Sequence, residues 1–173
     1  MTVPDRDPRP SGLALRALAG IDALAQRAVI AVTGAMVVVV VAQVILRYGF
    51  GQSFDWADEI SRLLFVWVIF LALPLGIPKG AHVGVSLLTD RLPARARSLL
   101  FRLTSLLCAA LLAVVAWQGA RLVLEQWEEP LSTLDASVAL FMVPLVLGAA
   151  HGLLHLLALA VAGAPTPSEI VID

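Results

Sequence analysis

The sequence has few charged residues for its length. Only 14% of its 173 residues are charged, whereas 60% are hydrophobic, and the mean hydropathy is +0.90. A soluble domain has about a quarter of its residues charged, because its surface must be covered. We therefore expect lipid to surround most of the chain. The formal net charge of −1 lacks the basic excess that nucleic-acid binding requires, so no nucleic-acid partner is expected.

Metal-ligating residues are also scarce. Cys108 is the single cysteine, which excludes an intrachain disulfide and any site built on several cysteines. His151 and His155 are four residues apart and would share one helix face. No third ligand lies near them in the sequence, and there is no His-Glu-x-x-His pattern. A buried hydrogen bond is therefore the favoured role for this pair, and no cofactor is expected.

Four long apolar runs predict the architecture, which is an all-α integral membrane protein. A bilayer-crossing helix needs about 20 mostly apolar residues to cover roughly 30 Å of hydrocarbon. Lipid offers no partner for an unpaired amide, so each span must be helical. The first run is too long to favour its interpretation as a cleaved signal peptide. The predicted spans cover about residues 28–46, 56–77, 103–124 and 138–162.

The segments outside the spans are short. We predict a disordered tail over residues 1–12, a single four-helix membrane domain over 13–163 and a loose tail over 164–173. Between spans two and three, apolar residues recur at helical spacing from Val83 to Leu92. This stretch is too short to cross a bilayer, so it predicts a short amphipathic helix lying in the membrane interface.

The most distinctive polar segment opens span two, from Asp55 to Arg62. Asp58 and Glu59 precede Arg62 by four and three residues, which is a favourable spacing for a helical ion pair. Arg62 immediately precedes a run of fifteen residues that has no polar side chain and is expected to lie in lipid. An unpaired guanidinium is costly at the edge of such a run. We interpret this turn as a structural or subunit-docking feature. Trp67 lies farther along the same span, where it should pack against another helix or another subunit.

No Asp or Glu lies within the core of any predicted span. A carrier that acts alone usually holds an intramembrane carboxylate or a broken helix. The sequence therefore indicates one subunit of a larger assembly. Two alternatives remain open. A stand-alone four-helix antiporter of the small multidrug type would need a deep carboxylate, and a membrane enzyme would have only His151 and His155 to use.

Several short motifs, taken together, resemble the small membrane subunit of tripartite ATP-independent periplasmic (TRAP) transporters, the DctQ type. They are Arg47-Tyr48, the segment Trp56-Ala57-Asp58-Glu59-Ile60-Ser61-Arg62 with Trp67 beyond it, His82-Val83-Gly84-Val85, and Asp90-Arg91-Leu92-Pro93. The motifs cover roughly residues 28–100. Ser86 stands where this family often has an acidic residue.

The resemblance implies a multi-pass protein of the bacterial inner membrane that is not an enzyme. A large permease subunit would carry an organic acid with sodium, a periplasmic binding protein would deliver the acid, and this chain would brace the large subunit. Sodium would bind the large subunit. The residues that we predict to have interface or structural roles are Arg47, Tyr48, Trp56, Asp58, Glu59, Arg62, Trp67, His82 and Asp90.

The distribution of Lys and Arg predicts the orientation of the chain. Nine lie in the N-terminal segment and the connection between spans two and three, and three lie on the other side. The positive-inside rule then places both termini in the cytoplasm.

In a Cys108→Ser background, Gln52→Cys and Ser132→Cys should react with a membrane-impermeant thiol reagent added from the periplasmic side, whereas Gly80→Cys should not. If only the Gly80→Cys variant were labelled, the chain would have the opposite orientation to the one predicted.

Overall fold

The described part of the chain is built from four long α-helices. The computed structural model describes residues 12–52, 54–80 and 93–162. The helices are α1 (Gly12–Phe50), α2 (Asp55–Gly80), α3 (Ala94–Glu125) and α4 (Val143–Ala162), with a 3-10 helix (Val138–Phe141) leading into α4. Four segments, one per α-helix, are long and apolar enough to cross a membrane. The predicted all-α fold with four spans is confirmed.

Two helices extend well beyond the predicted spans. α1 begins at Gly12 and has 39 residues, which at about 1.5 Å per residue makes it roughly 58 Å long. The apolar run stops at Arg27, but the preceding segment is rich in Ala and Leu, which continue a helix readily. α3 likewise begins at Ala94. The predicted amphipathic helix and most of the two predicted tails lie outside the described residues.

The helices form a row in the order α1, α2, α4, α3. α2 packs against α4, α1 packs against α2, and α3 packs against α4. α1 touches α4 only lightly, and α1 and α3 make no substantial contact with each other. α2 and α4 are therefore the centre of the protein, and the two outer helices leave much of their apolar surface uncovered by the chain.

A proline and a glycine set the close approach of α2 and α4. Pro74 is fully buried, and it has no N–H to offer the carbonyl of Phe70, four residues earlier. Gly148 of α4 lies directly against that carbonyl, because a Cβ built on Gly148 would stand 2.3 Å from the Phe70 oxygen. Only glycine allows the two backbones to come this close.

A hydrogen bond joins α2 to the 3-10 helix that precedes α4. Pro144 is also fully buried, and it lies in the first turn of α4, where its missing N–H removes no intrahelical hydrogen bond. The indole N–H of Trp67 donates to the Leu140 oxygen at 3.1 Å. Trp67 therefore packs against another helical element of the same chain, which was one of its two predicted roles. The centre of the protein is therefore joined by a backbone contact at Phe70 and by a side-chain hydrogen bond at Leu140.

The contact between Gly148 and Phe70 gives a direct test of this packing. Gly148→Ala should lower stability by about 1–3 kcal/mol, since the new methyl group meets a backbone oxygen that cannot turn away. The midpoint of thermal unfolding in detergent would measure the loss. Gly34→Ala on α1 is the matched control, because nothing lies within 4 Å of a Cβ built there. Equal midpoints for the two variants would contradict the proposed packing.

Candidate functional site

The polar side chains that join α1 to the other helices lie at two levels. Gln43 of α1 contacts Asp58 of α2, and Asp22 of α1 contacts His151 and His155 of α4. Along α1, Asp22 and Gln43 are separated by about 32 Å, given the rise of about 1.5 Å per residue. This distance is close to the thickness of the hydrocarbon core of a bilayer. The two levels therefore bracket a segment of membrane-spanning length.

At the first level, the two acids that open α2 are bound by other parts of the chain. Asp58 accepts a hydrogen bond from the Gln43 side chain at 2.7 Å. Glu59 accepts from the backbone N–H of Ser132 at 3.2 Å and of Thr133 at 2.9 Å, and also from the Thr133 hydroxyl. The first turn of α2 thereby fixes α1 on one side and the connection between α3 and α4 on the other.

The connection that reaches Glu59, residues 126–137, is itself well ordered, and we call it the hairpin loop. A bridge joins Pro130 and Ser137, and the Leu131 N–H donates to the Ala136 carbonyl at 2.8 Å. Leu131 is buried beneath it. The Ser137 side chain accepts from the N–H of Ala139 and so caps the 3-10 helix. These contacts hold the tip of the loop where its N–H groups meet the carboxylate.

The predicted ion pairs of Arg62 with Asp58 and Glu59 are not formed. Among the residues that the structure describes, no carboxylate lies within ion-pair distance of the Arg62 guanidinium, and Arg62 is exposed. Both acids are instead bound by Gln43 and by the hairpin loop. Helical spacing showed that the three side chains could meet, but it held no information about competing partners from elsewhere in the chain.

Of the other residues predicted to have interface or structural roles, some are exposed on the surface and the rest lie outside the residues that the structure describes. Arg47 is exposed, Tyr48 is 82% exposed and Trp56 is 42% exposed, with the Trp56 ring 5.8 Å from that of Phe54. These residues, like Arg62, stand on the outside near the end of α1 and the start of α2. His82 and Asp90 lie outside the described residues. The interface role of all of them stays a prediction.

At the second level, Asp22, His151 and His155 form a compact group that we call the Asp22 cluster. The Nε2 atoms of the two histidines lie 2.7 and 2.8 Å from the same carboxylate oxygen, Oδ1 of Asp22. The histidine side chains are nearly buried, at 8% and 6% exposed, whereas that of Asp22 is 32% exposed. The favoured hydrogen-bonding role of the histidine pair is confirmed.

Asp22 adds two features that the sequence analysis did not predict. A third potential ligand lies beside the histidines in space, and α1 continues as a helix through Asp22, outside the predicted core of span one. Asp22 was missed because it precedes the apolar run and is 129 residues from His151. It is the single acid between Asp7 and Asp55, and this isolation in an Ala- and Leu-rich segment was the available signal.

Much of the outer surface of α1 and α3 is apolar. On α3, Leu107 is 71% exposed and Trp117 is 69% exposed, and on α1 Val38 is 67% exposed. Surface of this kind has to be covered by lipid or by another protein. The groove between α2, α3 and α4 is apolar as well, and its lining includes Phe70, Leu73, Ile77, Leu112 and Val115.

Comparison with known proteins places the chain in a family. Residues 36–165 match the model of a family described as tripartite ATP-independent periplasmic transporters, DctQ component. A TRAP transporter small permease protein of Haemophilus influenzae is 32% identical over 115 residues, which cover 65% of this chain and 71% of that protein. The C4-dicarboxylate TRAP transporter small permease protein DctQ of Vibrio cholerae is 31% identical over 87 residues, which cover 50% of this chain and 37% of that protein.

A longer relative matches over part of its length. The isethionate TRAP transporter permease protein DctMQ of Oleidesulfovibrio alaskensis is 28% identical over 99 residues, which cover 57% of this chain and only 16% of that protein. These relatives are transporter permease proteins rather than enzymes. With four helices that can span a membrane, the chain is a multi-pass protein of the bacterial inner membrane. It belongs to the DctQ family of TRAP transporter small permease subunits.

Proposed function

We propose that this chain is a scaffold subunit that braces a large TRAP permease subunit and has no substrate path of its own. One observation carries this proposal: the polar side chains that open and cross α2 are bound to other parts of the chain, and none of them lines the groove between α2, α3 and α4. Asp58, Glu59 and Trp67 all have partners within the chain. The groove between α2, α3 and α4 is lined by apolar groups, so it offers no donor to an organic anion.

The long relative supports a large permease partner. In the DctMQ protein of O. alaskensis, the segment that resembles this chain is one part of a much longer permease protein. The part of that protein outside the match corresponds to the large permease subunit that we propose as the partner. The large subunit would then carry substrate and sodium, and a periplasmic solute-binding protein would deliver the substrate. Relatives named for C4-dicarboxylate and isethionate transport support an organic acid as the cargo.

The Asp22 carboxylate gives little support to the alternative of a stand-alone antiporter. Such a carrier needs an acid deep in the membrane that can exchange its ion. Asp22 lies about 32 Å along α1 from Gln43, which places it at one end of the spanning segment. Its Oδ1 is already bound by His151 and His155, and it does not line the groove between the central helices.

The exposed residues near the start of α2 are the docking surface that we propose for the large subunit. Tyr48 and Trp56 offer exposed aromatic rings there, and Arg62 offers an exposed guanidinium. Aromatic and Arg side chains are enriched where protein interfaces bind most strongly. His82 and Asp90 remain proposed interface residues on the same reasoning as in the sequence. Lipid would cover the apolar surface that the partner leaves free.

Reconstitution tests the scaffold role. The products of the neighbouring transporter genes would supply the large subunit and the binding protein, and a panel of radiolabelled organic acids would identify the cargo. We expect this chain to co-purify with the large subunit and the full assembly to show sodium-dependent uptake. Liposomes that contain this chain alone should take up none of the same acid, because the residues that the structure describes form no evident coupling site. Sodium-dependent uptake by the chain alone would refute the proposal.

A pair of arginine variants tests the docking surface. Arg62→Ala should reduce the yield of the complex with the large subunit, because an exposed guanidinium beside the membrane would lose its partner across the interface. Arg121→Ala is the matched control, since Arg121 is also exposed, is predicted to lie on the same side of the membrane and pairs with Glu125 of its own helix at 3.8 Å. Complex yield is measured by affinity capture of the large subunit. Equal yields of the complex from the two variants would show that Arg62 does not contribute to the interface.

A further inference from the structure

We propose that Asp22, His151 and His155 form a binding site for a divalent transition-metal ion of the zinc type. The site is distinct from the proposed docking surface, because Asp22 and Tyr48 are about 39 Å apart along α1. It also does not depend on the transport role of the chain. The proposal rests on the geometry of three ligand atoms, on their chemical types and on the helices that the site joins.

The ligand atoms converge as a metal site requires. Two histidines four residues apart on α4 place their Nε2 atoms side by side, with ring centroids 4.9 Å apart. Oδ1 of Asp22 lies 2.7 and 2.8 Å from these atoms, and all the ligand atoms are within 4.8 Å of one another. Around tetrahedral zinc, with ligands at about 2.0–2.2 Å, neighbouring ligand atoms stand roughly 3.3 Å apart. The two distances from Oδ1 to the histidine nitrogens are thus about half an ångström shorter than in an occupied site, so the Asp22 carboxylate would move outward when the ion binds.

The ligand types favour zinc over the alkaline-earth ions. Imidazole nitrogen with carboxylate oxygen suits zinc and its neighbours in the transition series, whereas calcium and magnesium prefer oxygen ligands. With both imidazoles neutral, the cluster has a charge of −1, which attracts a cation. One histidine would be enough to hydrogen-bond α4 to Asp22. The second histidine joins the same two helices as the first. It also brings the number of protein ligands to three, which is the number in a zinc site with one open position.

The surroundings suggest a structural role and a route for the ion. The histidine side chains are nearly buried, while the Asp22 side chain is 32% exposed, so the fourth position would open on the side of α1 and be filled by water. The cluster joins α1 to α4, which otherwise touch only lightly. A bound ion would therefore fasten the N-terminal extension of α1 to the centre of the protein.

Zinc binding by the full-length chain tests the proposal. The protein is purified in detergent with a histidine-free tag, stripped with a chelator and titrated with Zn²⁺ against a competing chromophoric chelator. We expect one ion per chain and a higher midpoint of thermal unfolding when the ion is bound. Asp22→Asn retains an oxygen that accepts from the histidines but is a poor metal ligand. It should weaken zinc binding by at least about tenfold, as should His155→Gln.

His82→Gln is the matched control and should bind zinc as the unaltered protein does. If Asp22→Asn or His155→Gln fails to fold, Co²⁺ titration of the unaltered protein decides instead, and the visible bands of a tetrahedral site are expected. The proposal is overturned if the unaltered protein binds no stoichiometric zinc or gives no such bands. It is also overturned if Asp22→Asn and His155→Gln bind as tightly as the unaltered protein, or if His82→Gln loses the ion. Those results would show that Asp22, His151 and His155 form a hydrogen-bonded cluster that does not bind metal.

Discussion

A backbone carbonyl without a donor is the constraint on which this membrane protein is built. Lipid cannot supply the missing hydrogen bond, so a carbonyl freed by proline favours close packing of a neighbouring helix. Pro74 frees the Phe70 carbonyl, and Gly148 of α4 packs directly against it, while Trp67 of α2 donates to the Leu140 carbonyl just before α4. These two contacts fix α2 and α4 in one register, and α1 and α3 pack against the pair that results.

The same constraint connects the fold to the proposed role. A central pair of helices held by backbone contacts is poorly suited to the large rearrangements by which transporters open and close. The polar groups at the start of α2 are used to hold α1 and the hairpin loop in place. Little polar chemistry is left over within the described spans for binding a substrate. A rigid body with an apolar outer surface is instead well suited to support a moving partner.

The sequence predicted the parts of the structure that depend on local composition. Four apolar runs were enough to place four helices, and α2 begins at Asp55, one residue before its predicted start. The failures involve contacts between distant segments. The partner of Asp22 is 129 residues away, and nothing near Glu59 in the chain indicates that residues 132 and 133 will bind it. Pro74 is visible in the sequence, but the close approach of Gly148 to the carbonyl that it frees is not.

Distance measurements within the assembled transporter would test the scaffold role most directly. Spin labels would be attached at Gln52→Cys, beyond the end of α1, and at Glu128→Cys, in the hairpin loop, in a Cys108→Ser background. The distance between the labels would be compared with and without sodium and substrate-loaded binding protein. The account predicts one unchanged distance distribution, because the chain acts as a rigid support. A shift of the distribution during turnover would contradict it.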